Sequence, residues 1–264
     1  MKVDENKRAW DGKYHWKDGG EEWSAPWGGV SMQWFGAILP RIRAHVPAPC
    51  ILEIACGYGR FTQYLKDLCE RLVAVDLSGQ CIEACRKRFE HCSNVECHVT
   101  DGRSLGMVAD RSVDFVFSYD SLVHADEGVM ASYVRELARI LTDEGAAFIH
   151  HSNLAEYEPL YARIWKVPKL PGLLACLGLP EKTLHWRDKT VDAGKVARMA
   201  EENGLTAVSQ EIVPWHTRRL LIDCFTILVR KGSRRDAPPR VVRNRRFEAE
   251  TRALRGLSAL YPET

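Results

Sequence analysis

Net charge, paired cysteine motifs and long apolar runs are all scarce in this sequence. The formal net charge is only +2 over 264 residues, which gives no global reason to expect nucleic acid or a membrane as the partner. The nine cysteines include no Cys-x-x-Cys pair, so a zinc site has little support and buried, reduced thiols are expected. The first residues are polar and no apolar stretch could span a bilayer, so we expect a cytoplasmic protein without a secretory signal.

Charge is distributed unevenly along the chain, although 45% of the residues are hydrophobic and a sizeable core can be buried. Between Arg230 and Arg246 there are eight Lys or Arg residues and one acid, Asp236. This basic stretch could contact a nucleotide-sugar diphosphate, a lipid headgroup at a membrane surface, RNA or an assembly partner, or it could be a solvated linker. The sequence leaves these alternatives and the oligomeric state open.

From Cys50 onward, short apolar segments alternate with segments that have helical periodicity. The predicted strands are residues 51–55, 72–76, 95–100, 113–118, 146–150, 206–213 and 224–229. Strands that are separated by single helices form parallel β-α-β units. The order therefore predicts an α/β protein with a Rossmann-like, doubly wound sheet.

Segments that break this rhythm predict the domain organisation. The first thirty residues interleave aromatic side chains with glycine and charge, at Trp10, Tyr14, Trp16, Trp23 and Trp27. Four prolines interrupt the pattern after the fifth strand. We predict an N-terminal aromatic cap at residues 1–45, a cofactor-binding domain at 46–232 with an insert at 154–189, and a basic linker with a C-terminal helix at 233–264.

A glycine pair, Gly57 and Gly59, follows the first predicted strand. Glycines at such a turn let the backbone approach a ligand closely. A dinucleotide fingerprint would have a third glycine where Thr62 stands, and the lysine of a P-loop is absent. Acids follow at the ends of the next two strands, where Asp76 can accept hydrogen bonds from ribose hydroxyls and Asp101 from an adenine amino group.

Each of these acids alone could be an ordinary turn residue. Their order after the glycine pair, at the ends of successive strands, favours a nucleotide-cofactor site. Over residues 50–150 the chain resembles the core of class I S-adenosylmethionine-dependent methyltransferases. The resemblance implies S-adenosyl-L-methionine as the cofactor and a seven-stranded sheet whose last strand forms an antiparallel hairpin with its predecessor. It places Gly57 and Gly59 against the methionine moiety, Asp76 on the ribose and Asp101 on the adenine. The neighbours that complete the predicted cofactor set are Glu53, Leu77, Gly102 and Ser118.

A narrower resemblance concerns the methyl acceptor. The segments 19–23, 120–124, 150–153 and 185–188 are similar to segments of bacterial methyltransferases that modify sugars and polysaccharides. This resemblance implies that the acceptor is a hydroxyl of a sugar or glycan precursor. Trp186 would then be a platform for the sugar ring, and Arg187 would contact an anion.

Methyl transfer to a hydroxyl needs a group that removes its proton, and histidine suits the task because its pKa is roughly 6.5. His124 follows the fourth strand, and His150 and His151 end the fifth, at the edge of the sheet where ligands bind. Successive strand residues point to opposite faces, so only one of the adjacent pair enters the site. We predict His151 as the base, Asp120 as the group that orients a base or binds the acceptor, and His150 as a substrate contact. His124 is a second candidate for the catalytic base, although it could instead buttress the following helix.

Several alternatives remain at this stage. A divalent metal on Asp120, His124 and one of the paired histidines is conceivable, but no second acidic pair completes such a site, so we predict none. An O- or N-methyltransferase of another small metabolite, or a non-catalytic cofactor-binding subunit, would carry the same cofactor residues. An RNA methyltransferase is disfavoured because Ser118-Tyr119-Asp120-Ser121 lacks the Pro-Pro-Tyr turn that accommodates a planar amino group.

Overall fold

The computed structural model of the chain describes residues 3–14, 16–159, 186–215 and 220–261. Its strands are β1 Cys50–Ile54, β2 Arg71–Asp76, β3 Val95–Val99, β4 Val113–Ser118, β5 Leu141–Ser152, β6 Leu205–Val213, β7 Asp223–Arg230 and β8 Arg240–Arg243. They form one sheet with the order β3-β2-β1-β4-β5-β7-β6-β8. The first five strands run parallel to one another, so the predicted α/β, Rossmann-like fold is confirmed.

The centre of the sheet is covered on both faces. All five residues of β1 are buried, as expected for a parallel strand between two layers of helices. Ile51 packs into one core and Leu52 into the other, and Phe115 and Val116 of β4 alternate in the same way. Thus the continuous apolar run of each central strand is a consequence of two buried faces.

The helical segments connect these strands and cover them. They are Val3–Arg8, Ala9–Lys13, Glu21–Trp27, Val30–Met32, Gln33–Ile38, Leu39–Ile42, Thr62–Leu65, Lys66–Leu68, Gly79–Arg88, Leu122–His124, Glu127–Ile140, Leu154–Tyr157, Ala193–Glu202 and Phe247–Ser258. Side-chain caps begin two of these helices: Asp126 accepts a hydrogen bond from Val129 N at 2.9 Å, and Asp192 from Lys195 N at 2.8 Å.

The hairpin predicted at the end of the sheet is confirmed, but the prediction of seven strands is wrong. β7 lies between β5 and β6 and is antiparallel to both. An eighth strand, β8, pairs in parallel with β6 and belongs to the basic segment. Its residues are mostly exposed, and the strand is held by its partner: the backbone N of Asn244 donates to the Ile212 carbonyl at 2.9 Å. Because β8 has almost no apolar pattern, the sequence does not predict this strand, and it is recognised only from its pairing with β6.

The N-terminal segment does more than cover the sheet. Trp27 and Trp34 are almost fully buried in the core that also contains Phe117. Trp34 stacks on Tyr64 with ring centroids 5.0 Å apart, and Trp27 lies 6.3 Å from Phe247 of the C-terminal helix. The first and last segments of the chain therefore share one core.

Every cysteine in the described ranges is a free thiol, and most are buried. None of the helices in those ranges combines the length and apolar character that crossing a bilayer requires. The predicted insert continues from β5, but its residues 160–185 lie outside the described residues.

Candidate functional site

The turn after β1 is joined directly to the end of β2. Gly57 and Gly59 have φ values of 55° and 87°, and Gly57 N donates to Asp76 Oδ2 at 2.9 Å. A Cβ on Gly59 would lie 2.4 Å from the Phe89 ring, so packing also requires glycine there. Ala55 shares the left-handed conformation, with φ 61°, which is strained for a residue with a side chain. The left-handed turn therefore includes Ala55 as well as the two glycines, and the sequence pattern does not predict this conformation for Ala55.

The Asp76 carboxylate is held at the end of β2 by two backbone amides. Its second oxygen accepts from Ser78 N at 2.8 Å, and burial raises the pKa of Asp76 to about 6. A carboxylate oxygen can accept two hydrogen bonds, so each oxygen keeps capacity for a hydroxyl donor. These two acceptor oxygens fit the paired hydroxyls of a ribose, which would donate to them.

Beyond Asp76, the turn that follows β3 packs against apolar side chains. Gly102 has φ 75°, and a Cβ placed on it would lie 3.2 Å from Val3 and 3.8 Å from Leu77. The predicted adenine contact, Asp101, uses its oxygens in its own turn: it accepts from Arg103 N at 2.8 Å and from Ser104 N at 2.6 Å. Contact between Asp101 and adenine therefore remains a prediction.

The N-terminal segment lies against this row of turns. The Trp16 ring stacks on Tyr58, with centroids 4.7 Å apart and an interplanar angle of 17°. Ser78 Oγ donates to the Asp11 carboxylate at 2.6 Å. These contacts place aromatic and acidic cap residues on the glycine turn and on the end of β2.

Two residues of the predicted cofactor set lie beneath the turn. Glu53 is buried and accepts a hydrogen bond from Thr62 Oγ1 at 2.5 Å, and burial raises the pKa of Glu53 to about 8. Ser118 Oγ donates to the Ile54 carbonyl at 3.1 Å. Both contacts stabilise the turn, and direct cofactor contact by either residue stays a prediction.

Asp120, at the end of β4, lies between two guanidinium groups. Its carboxylate oxygens are 3.6 Å from Arg60 Nη2 and 3.5 Å from Arg187 Nη2, and only 10% of the side chain is exposed. Its φ is 58°, and its backbone N donates to His150 Nδ1 at 3.0 Å. A strained, non-glycine conformation that several contacts maintain is common at functional sites.

His150 and Arg187 hold Asp120 through a buried carboxylate. Because His150 Nδ1 accepts a hydrogen bond, its Nε2 carries the proton and donates to Asp223 at 2.9 Å. Arg187 Nη2 donates to the same carboxylate at 2.8 Å. Although burial opposes it, the charge of Arg187 keeps the pKa of Asp223 below its usual value. The predicted substrate roles of His150 and Arg187 do not agree with this geometry, since both are buried and bind Asp223.

His151 points to the other face of the sheet. It is fully buried, its Nδ1 donates to the Ser152 carbonyl at 2.8 Å, and its Nε2 lies 2.7 Å from Thr226 Oγ1. Burial lowers the pKa of His151 to about 4. The expectation that His151 is the base is therefore corrected: both ring nitrogens are used inside the protein, away from Asp120.

Replacing His151 by Ala should reduce stability while leaving catalysis intact. The substitution removes a buried hydrogen bond to Thr226 and opens a cavity, so we expect a loss of about 2 kcal/mol in the free energy of unfolding. Urea denaturation measures this loss. A large decrease in kcat of the folded variant, with stability unchanged, would show that the ring does reach the reaction.

His124 lies in a short turn after β4 and is bound to the backbone of an exposed aromatic residue. Its Nδ1 donates to the Trp186 carbonyl at 2.8 Å, and its ring centroid is 5.6 Å from that of Trp10. Trp186 is 52% exposed, and its ring centroid lies 6.2 Å from that of Trp10. Burial and the charge of Arg187 lower the pKa of His124 to about 4, so the imidazole is neutral at neutral pH.

Arg60, Asp223 and Asp11 belong to the site but do not follow from the sequence pattern. In a parallel sheet the residues that follow the strands meet at one edge, whereas β7 is antiparallel and begins at the edge where β5 ends. The Asp223 that opens β7 therefore meets His150. Within the described ranges, no group of three or more His, Cys, Asp or Glu side chains is arranged to hold a metal ion.

Comparison with known proteins agrees with this arrangement of turns. Residues 51–145 match the profile of a family described as "Methyltransferase domain". Nodulation protein S of Bradyrhizobium diazoefficiens is 34% identical over 82 residues, which is 30% of this chain and 39% of that protein.

Solved structures match over most of the chain. Magnesium protoporphyrin IX methyltransferase of Synechocystis, with bound SAH, has a TM-score of 0.59 at 14% identity and covers 87% of this chain and 100% of its own. A Pyrococcus horikoshii protein has a TM-score of 0.55 at 20% identity and covers 88% and 100%. At these identities the similarity concerns the fold. The family match over residues 51–145, together with this fold, supports an enzyme of the S-adenosylmethionine-dependent methyltransferase class with S-adenosyl-L-methionine as its cofactor.

Proposed function

We propose that this methyltransferase transfers a methyl group to a hydroxyl of a sugar or glycan precursor. The observation that carries the proposal is the Trp10 ring, whose centroid lies 5.6 Å from that of the His124 imidazole and 6.2 Å from that of the half-exposed Trp186 indole. An indole offers a flat apolar face with a polar edge, which suits a sugar ring. The neutral imidazole of His124, which contacts the same Trp10 ring, can take a hydroxyl proton.

The residues that would hold the cofactor follow the order of the turns along the sheet edge. Asp76 would bind the ribose hydroxyls, Gly57 and Gly59 would lie against the methionine moiety, and Leu77 and Gly102 would flank the adenine. The bound cofactor supplies a methyl group on a positively charged sulfur. The glycine turn and Asp76 hold it in one orientation, and positioning is a large part of catalysis for such a transfer.

The proton of the acceptor hydroxyl would pass to His124 as the oxygen bonds to the methyl carbon, while the bond from that carbon to sulfur would break and S-adenosylhomocysteine would leave. Because Nδ1 donates to the Trp186 carbonyl, Nε2 is the proton-accepting nitrogen of the ring. The charges of Asp120 and Asp223 favour the protonated ring that results. Asp120, held between two guanidinium groups, would accept a hydrogen bond from the sugar and so orient it.

A screen of sugars, nucleotide sugars and small amines for methyl transfer tests the proposal. We expect a sugar or nucleotide sugar to be methylated, and Trp186→Ala to raise the acceptor KM about tenfold with unchanged cofactor affinity, because a stacking contact is lost. Phe35→Ala is the matched control, since Phe35 is 60% exposed and packs on Tyr64 away from His124.

Other outcomes of the screen point elsewhere. If only amines were methylated, the proposed sugar acceptor would be wrong and the acceptor would be another small metabolite. Cofactor binding without turnover on any class would indicate a non-catalytic subunit.

A further inference from the structure

The guanidinium of Arg60 is incompletely paired although it is nearly buried. Its side chain is 12% exposed, and its Nη1 atom is buried with no hydrogen-bond partner in the described part of the chain. Nη2 lies 3.6 Å from Asp120 Oδ2, and the guanidinium carbon lies 4.5 Å from the centre of the Phe61 ring. A buried, charged donor without an acceptor is unfavourable, and in a native protein it requires an explanation such as a ligand.

The position of Arg60 indicates which ligand group is near. The sheet order β3-β2-β1-β4 arranges the turns along one edge as Gly102, Asp76, the glycine pair and Asp120. If adenine and ribose occupy the first two, the amino-acid end of the cofactor extends past the glycine pair towards β4. Arg60 is the first residue after that pair, and its guanidinium lies on the β4 side of it, against Asp120.

We propose that Arg60 binds the α-carboxylate of the cofactor's methionine moiety through Nη1. A planar guanidinium presents its N–H groups in a geometry that matches carboxylate oxygens. The Asp120 carboxylate forms an ion pair with Nη2 at 3.6 Å and thereby holds the group beside the end of β4. Arg187 is not an equivalent cation, because its guanidinium donates to the buried Asp223 carboxylate at 2.8 Å. The inference rests on the cofactor and does not depend on the sugar acceptor.

Calorimetry with two related ligands tests this role. S-adenosylhomocysteine carries the carboxylate, whereas 5′-methylthioadenosine keeps the adenosine and the thioether but lacks the amino-acid end. We expect Arg60→Met to weaken S-adenosylhomocysteine binding about tenfold or more and to change methylthioadenosine binding by less than about twofold, because one charge-assisted hydrogen bond is lost. Arg60→Lys should recover part of the affinity.

Two controls keep the outcome interpretable. Arg71→Met changes an exposed arginine that pairs with Glu96 at the start of β2, at the opposite end of that strand from Asp76, and should leave both affinities unchanged. Retained methylthioadenosine binding shows that Arg60→Met is folded. The inference would be overturned if the S-adenosylhomocysteine affinity of Arg60→Met were unchanged, which is also the result expected if Arg60 binds an anionic methyl acceptor. It would also be overturned if both ligands lost affinity equally. Failure of the wild-type protein to bind either ligand would overturn the cofactor site as well.

Discussion

Replacing Asp76 by Ala is expected to weaken S-adenosylhomocysteine binding about a hundredfold or more, since two charge-assisted hydrogen bonds to the ribose are lost. The substitution also frees the amides of Gly57 and Ser78, which the carboxylate now holds at 2.9 and 2.8 Å. Calorimetry measures the affinity, and circular dichroism shows whether the variant is folded. Asp76→Asn keeps the size of the side chain and separates the loss of charge from the loss of packing.

Asp101→Ala is the comparison for this variant. Asp101 uses its oxygens to close its own turn, so we expect a loss of less than about tenfold in affinity. If the two variants lost affinity equally, the assignment of ribose to Asp76 would have no special support.

The pH dependence of binding should follow from the same carboxylate. Asp76 has a pKa of about 6, and only its deprotonated form accepts hydrogen bonds at both oxygens. Affinity should therefore be constant above this pH and fall as the pH decreases through it, approaching about tenfold for each further pH unit. Asp76→Asn should remove the dependence. A wild-type affinity that stays constant down to pH 4.5 would contradict the assignment.

Replacing His124 by Ala is expected to lower kcat about 10²- to 10⁴-fold, the usual contribution of a general base, with little change in S-adenosylhomocysteine affinity. Initial rates with the acceptor found in the screen measure the effect. His151→Ala is the matched control, because it removes a histidine from the next strand that faces the interior. Its kcat should stay within about threefold of the wild-type value if this ring takes no part in proton transfer.

The pH profile of kcat gives a second test of His124. Its pKa of about 4 means that the imidazole is already neutral across the range from pH 5.5 to 8, so this group should add no titration there. A histidine with an ordinary pKa would give a rise in kcat centred near 6.5 instead. Such a rise, lost in His124→Ala, would show that the ring is far more exposed during turnover than in this structure.

Local sequence was sufficient for the cofactor half of the site. The glycine pair, Asp76 and the apolar strands around them could be predicted because each depends on backbone conformation and strand periodicity within a few residues. The alternation of strand and helix then predicted the parallel sheet, and the structure confirms it. These features are set by short-range rules that one chain segment carries by itself.

The acceptor half depended on contacts between distant segments. The sequence reduced the candidates for the base to three histidines at the edge of the sheet where ligands bind. Strand alternation does not say which face of the sheet lies at the site. Only the packed sheet decides this: His150 turns towards Asp223 and His151 towards Thr226, while the Trp186 carbonyl holds the His124 ring.

The same reason explains the other features that the sequence did not reveal. β8 has almost no apolar pattern and exists because β6 offers it a pairing edge. Asp223 meets His150 because β7 runs antiparallel, and Arg60 meets Asp120 because β1 and β4 are neighbours. The sequence by itself determined the glycine turn and the strand ends at which we propose that the cofactor binds, since these features are local. Which side chains lie around Asp120 and His124 was decided by tertiary structure, because each of those contacts joins residues that lie far apart in the chain.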